Sequence, residues 1–366
     1  KPSKIEDETI RVSHSNPTFK TFKQSNAFYN IMTAVKSHPS VQSAMSNIKS
    51  AKMNIRTVES GKNTQVNLQA LSGVSRDNSS NTFGAVGSLN ISRLLFDYGA
   101  TDNTVLSQKK RYQLSKVQAE IAAETVALRG YEVWINLHRQ KKVMEVYSGG
   151  MSLAEPILGQ IKTISLSGLA DKAMILKAQQ DYSKLEVAYS RSSAELAAAK
   201  ALFDEVFPNG RTDDLQALKA RQITQGKIAT STMLKKSAAL RAQDFLIDSF
   251  EAEYKTLKAQ KNANVSMSAG VTAPAKDTIK DGSANVGILV NYVFNDGGRL
   301  DAQIQSLKEK IKEVKKQKQA IERELKSQLN VAIETYLGVQ KTYDATLELV
   351  NLSEEVRDTS KDQLVS

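Results

Sequence analysis

No cysteine occurs anywhere in the 366 residues. That absence rules out disulfides, cysteine-ligated zinc and thiol nucleophiles, and with no cysteine to acylate it sets the expectation of a protein outside the lipoprotein type. Aromatic residues are scarce, at 6% with a single tryptophan, and hydrophobic residues make up 40%. So thin a supply suits long helices rich in Ala, Lys, Glu, Gln and Ser better than one large globular core. No run of 18 apolar residues exists, so no segment is suited to crossing a membrane as a helix, and membrane residence would have to come through β-strands. Residues 1–25 are polar and lack an apolar h-region, from which a chain already in its mature form is expected.

Chemistry-bearing patterns are equally sparse. The three histidines, His14, His38 and His138, stand in no HExxH context, and neither a GxSxG nor a P-loop pattern occurs. Paired carboxylates such as Glu354-Glu355 read as solvated helix surface, not as an acid–base dyad. His38, beside Pro39, reads as a turn or capping residue. The chain is therefore expected not to be an enzyme and to need no cofactor or metal. A formal net charge of +11 could point to nucleic acid. Its Lys and Arg residues, however, alternate with Glu and Gln, as in Lys308-Glu309-Lys310-Ile311-Lys312-Glu313, which is the pattern of a solvated helical face. No aromatic stacking platform accompanies them, so no nucleic-acid partner is expected.

What the chain does have is an internal repeat: a short helix, a hairpin of alternating strands, then a very long helix, twice over. Val66, Leu68 and Ala70 recur as Val265, Met267 and Ala269 at a spacing of 199, and Phe96 matches Phe294 at 198. A nearly constant spacing marks a quasi-symmetric duplication. Two strands per copy are too few for a stable sheet. The expected boundaries are an irregular extension over 1–26 and a first repeat over 27–207, with strands about 64–76 and 82–95 and long helices about 101–166 and 169–207. A connector over 208–228 then leads to a second repeat over 229–366, with strands about 263–273 and 284–294 and a long helix about 299–366.

Both hairpins alternate with period two. Leu68, Leu89, Ile91, Val265, Met267, Val286, Ile288 and Val290 fall on one face, while Asn67, Ser88, Asn90, Ser266, Asn285 and Asn291 fall on the other. Transmembrane barrel strands show this pattern, apolar to lipid and polar to a wet lumen; a soluble half-buried sheet shows it too. The helices favour the first. From Leu300 a four-three seam runs Ile304, Leu307, Ile311, Val314, Ile321 and Leu325, with Lys318 as its polar member, then steps to Leu329, Ala332, Tyr336, Val339 and Tyr343. A second seam runs Ile175, Ala178, Tyr182, Leu185, Tyr189, Ser192, Leu196, Ala199, Phe203 and Val206. These are coiled-coil seams, and the helix over about 102–166 would be roughly 95 to 100 Å long. Gly149-Gly150 and Pro156 are its expected bending points, and Ser167-Gly168-Leu169 its turn. At the strand exits, Gly99 and Gly297-Gly298 read as strand-to-helix swivels, not phosphate loops.

This order of elements resembles the TolC-like outer-membrane channel proteins, in particular the type I secretion branch. The resemblance is carried by Ala34-Val35-Lys36-Ser37-His38-Pro39-Ser40-Val41, by the strand exits Leu95-Phe96-Asp97-Tyr98-Gly99 and Val293-Phe294-Asn295-Asp296-Gly297-Gly298, and by the Ser167-Gly168-Leu169 turn. It implies a mainly α fold with β hairpins, three chains sharing one transmembrane β-barrel that a periplasmic coiled-coil α-barrel continues. Phe96, Asp97, Gly99, Phe294, Asp296, Gly297 and Gly298 would form the swivels, and Ser167, Gly168 and Leu169 the tip offered to a periplasmic membrane-fusion adaptor. Also implied are a place in the outer membrane of a Gram-negative bacterium, contact with outer-membrane lipid, and an inner-membrane ABC-type transporter as indirect partner. The function implied is a passive exit duct for type I protein secretion. A small-molecule efflux duct of the same fold and a soluble coiled-coil stalk are the alternatives. The sequence stops where the second copy should turn into its returning helix, and truncation is the expected reason.

Overall fold

The computed structural model describes residues 26–77, 80–166, 172–208, 210, 215, 217, 234, 236–274 and 282–365. Its elements, in chain order, are α1 (Asn26–Ser37), α2 (Pro39–Ser60), β1 (Gln65–Asp77), β2 (Ser80–Phe96), α3 (Ala100–Leu166), α4 (Lys172–Val206), α5 (Ala238–Ala259), β3 (Asn264–Pro274), β4 (Ser283–Asn291) and α6 (Arg299–Val365). The break between α1 and α2 falls at His38. Its carbonyl accepts the first N–H bonds of α2, from Val41 and Gln42 at 3.0 Å each, and its Nδ1 lies 2.7 Å from the Ser40 hydroxyl. Proline in first position needs no N–H partner, so the chain restarts its helix there. The helix α3 is continuous through Gly149, Gly150 and Pro156.

The chain divides into two compact units, residues 1–44 with 121–223 and residues 45–120 with 224–366. They do not follow the two sequence copies. The reason lies in the second unit, where the hairpin of each copy completes the other's sheet: the strand order is β1-β2-β3-β4, all antiparallel, with β2 of the first copy paired to β3 of the second.

In the second unit α5 supplies carboxylates to cations on both of the long helices. Asp248 meets Lys110 at 2.8 Å and Glu253 meets Arg111 at 2.9 Å, both from α3, while Glu251 accepts from Lys315 of α6 at 2.9 Å. Asp244 takes the ammonium of Lys318, which explains the polar member of that seam. In the first unit the only tryptophan is core: Trp134, Phe203, Ile31 and Leu137 are nearly fully buried. The rings of Trp134 and Phe203 lie 5.8 Å apart and those of Phe203 and Phe207 lie 4.6 Å apart. Ala34, Val35 and Val41 close this core from α1 and α2. Trp134 packs on Phe203, and a Cβ at Gly150 would lie 3.5 Å from Leu185. As residue number rises along α3 it falls along α4, so the two are antiparallel.

Candidate membrane face and strand-to-helix junctions

Register decides which side chains share a face, because directly opposed residues in an antiparallel sheet point the same way. Leu68 opposes Leu89, which opposes Val271. Ile91 opposes Ala269, which opposes Val286, and Met267 and Val265 oppose Ile288 and Val290. All eight aliphatic residues singled out in the sequence thus stand on one face. Most are open: Leu68 is 79% exposed, Val286 76% and Ile288 69%. The other face carries Asn67, Ser88, Asn90, Ser266, Asn285 and Asn291. It is less uniformly polar than the alternation suggested. Leu71, Val86 and Pro274 share one of its rungs, and Leu289 stands opposite Ser266.

The two strand exits are built alike. Asp97 accepts N–H bonds from Gly99 (3.1 Å) and Thr101 (2.7 Å), and Asp296 accepts from Gly298 (3.0 Å) and Leu300 (2.9 Å). Each carboxylate caps the first turn of a long helix, where free N–H groups and the helix dipole favour negative charge. Burial pushes the Asp97 carboxyl up, but the bonds from Thr101 and Gly99 and the nearby Lys62 outweigh it, so it titrates below the ordinary aspartate range. Asp296 is likewise lowered, first by the Leu300 N–H. The chain enters each helix through left-handed backbone, φ 53° at Tyr98 and 81° at Gly99, and 69° and 83° at Gly297 and Gly298. That is why glycine recurs there. Phe96 and Phe294 are not placed equivalently. Phe96 ends β2 opposite Val265, next to a bulge at Leu95, whereas Phe294 lies three residues past β4 and is 92% exposed.

Sequence reasoning passed over two ion pairs at these junctions. Lys62 contacts Asp102, and Lys261 contacts Asp301. Each joins the turn before a hairpin to the first turn of a long helix. Both partners recur at the 199 spacing of the strands, a signal that was there to be read. Ser167, Gly168 and Leu169 lie outside the described residues. Among the described residues no group of three or more His, Asp or Glu side chains could hold a metal ion, and no helix is long and apolar enough to cross a membrane.

No protein-family model and no curated protein matches the chain. Solved structures do match its fold. One is CusC, studied for conformational changes accompanying folding and transmembrane channel formation, at a TM-score of 0.72 and 14% identity over 90% of this chain and 83% of that one. Another is the outer-membrane protein VceC of Vibrio cholerae, at 0.68 and 15% over 81% and 75%. A third is the CmeC outer-membrane channel of Campylobacter jejuni, at 0.69 and 13% over 81% and 67%. At such identities the likeness is one of fold. The chain has the fold of the TolC-like outer-membrane channels, mainly helical with a small antiparallel sheet.

Proposed function

We propose that this chain is one of three subunits of a passive duct in the outer membrane, and that its long helices extend into the periplasm to meet an adaptor. One observation carries the reading: eight aliphatic side chains share one face of a four-stranded sheet, most of them exposed. In water that face forfeits on the order of 10 kcal/mol of burial, comparable with the whole net stability of a domain. Lipid recovers it. A soluble stalk offers no such recovery, so the membrane reading is the better of the two. Among the described strands β1 and β4 are open edges, which lipid does not tolerate, and three copies close them.

Two of the neighbours named above, CusC and CmeC, are described in terms of a channel, which suggests a non-enzyme. Energy for export would come from an inner-membrane transporter. The finer reading, type I protein secretion with an ABC-type transporter, rests on the sequence motifs that carry the resemblance, Ala34 to Val41, the two strand exits and the Ser167-Gly168-Leu169 turn; none of the three solved structures is described as a secretion channel. Residues Ser167, Gly168 and Leu169 join the antiparallel α3 and α4 and are proposed as the adaptor-docking segment. Two measurements test the duct. The protein should partition with outer membranes and need detergent to stay dispersed. Deleting its gene should abolish export of either a secreted protein or a small toxic compound, which also decides the cargo. A chain that stays dispersed without detergent overturns the proposal.

A further inference from the structure

We infer that Arg93 and the aromatic residues beyond it form a phospholipid headgroup site, at the border of the apolar sheet face nearest the long helices. The inference rests on the reading of that face as lipid-facing. Along β2 the face runs Phe83, Ala85, Gly87, Leu89, Ile91 and then Arg93, whose neighbour across the sheet is Met267 and beyond it Ile288. An arginine is out of place on an aliphatic face unless its guanidinium has somewhere to go. Arg93 is exposed, and no hydrogen bond or ion pair holds it among the described residues. Its stem can lie along apolar surface while the head reaches a polar layer.

Two features place that polar layer at Arg93. First, the chain turns aromatic at and just beyond the strand ends there, with Phe96 on the face itself opposite Val265. The rings of Phe96 and Tyr98 lie 4.7 Å apart with their planes tilted by 56°, both more than half exposed, and Tyr292 and Phe294 meet edge to face at 6.5 Å. Aromatic rings of this kind flank the apolar band of membrane barrels. At the other end of the face stands Phe83, 67% exposed. Ten residues separate it from Arg93, about 33 Å along a strand and about 25 Å of height at a tilt of about 40°, which is the band height of outer-membrane barrels.

Second, the aliphatic border is oblique in the way that tilt requires. On β1 and β2 it ends at Val66 and Ile91, on the rung of Ala269 and Val286, whereas on β3 and β4 it continues four residues further, to Val265 and Val290. Four residues are about 13 Å, set against about 14 Å for three strand spacings, a slope of about 40°. With strands tilted by that angle the border is level, and Arg93 stands one step beyond it. A planar guanidinium there matches the paired oxygens of a phosphodiester, with the rings packing against the glycerol and upper acyl chain.

The test is native mass spectrometry of the full chain in detergent with added phosphatidylglycerol. Arg93→Gln should reduce retained lipid about tenfold, the scale of one charged hydrogen-bonded contact, and Arg93→Lys should restore part of it. Inorganic phosphate at millimolar concentration should not compete. Retention by Arg93→Gln equal to wild type overturns the site, and displacement by inorganic phosphate overturns a lipid ligand in favour of a free anion. Leu68→Cys and Val290→Cys in vesicles separate this failure from that of the wider reading. If both resist a charged thiol reagent while Arg93→Gln changes nothing, only the headgroup site is wrong. If both label freely, the lipid-facing assignment falls with it.

Discussion

Asp97 shows how a single side chain fixes the passage from strand to helix. It satisfies two N–H groups that the helix itself cannot, so Asp97→Ala should lower stability by about 1 kcal/mol, the usual worth of such a cap, measured by chemical unfolding in detergent. Because its folded pKa is lowered, the cap's contribution is complete above the ordinary aspartate range and fades as pH falls through the folded value. The gap between wild type and Asp97→Ala should therefore narrow in acid; a gap that widens would contradict the assignment. Gly99 at φ 81° should also resist change, with Gly99→Ala costing about 1 kcal/mol. Asp and Gly at a strand exit were legible because their chemistry is local. Lys62 and Asp102 were not read together, since forty residues separate them and only folding brings the turn before β1 onto the first turn of α3.

Seams were legible as faces, and less so as interfaces. Along α4 every seam residue with a described side chain, from Ile175 to Val206, is at least half-buried, because the period of the apolar positions dictates which side turns inward. Along α6 Ile304 and Val314 are buried, but Val339 and Tyr343 are 63% and 66% exposed. The period continues while a partner among the described residues does not, and a sequence pattern carries the first without the second. Val314→Ala should therefore cost about 2 kcal/mol and Val339→Ala no more than about 0.5 kcal/mol in the dissociated chain, both by urea titration. A large loss at Val339 there would mean that it is packed within the chain. The sheet repeats the lesson. Alternation gave the parity of the eight aliphatic residues, but the pairing of β2 with β3 across the two copies is a long-range choice that no local pattern contains. The leucine at 289 on the polar face follows from that same limit, since parity assigns a position to a face without assigning its chemistry.

At the scale of the whole molecule the open edges of the sheet set the argument. Each of β1 and β4 presents a row of backbone donors and acceptors with no neighbour among the described strands, which in lipid is far costlier than in water. Antiparallel addition of the next copy's β1 to β4 continues the sheet without altering the order of its faces. Three copies make twelve strands, an even number, as in single-chain outer-membrane barrels. A double variant, Val66→Cys with Val290→Cys, puts one thiol near the helix-proximal end of each edge strand, on the same face. A bis-maleimide long enough to absorb the shear between subunits should join it into a covalent trimer and nothing larger. Each single variant should give no ladder, because each subunit contact joins a β1 to a β4. A ladder that stops at a dimer, or one that runs past three, would overturn the closed trimer and with it the shared barrel.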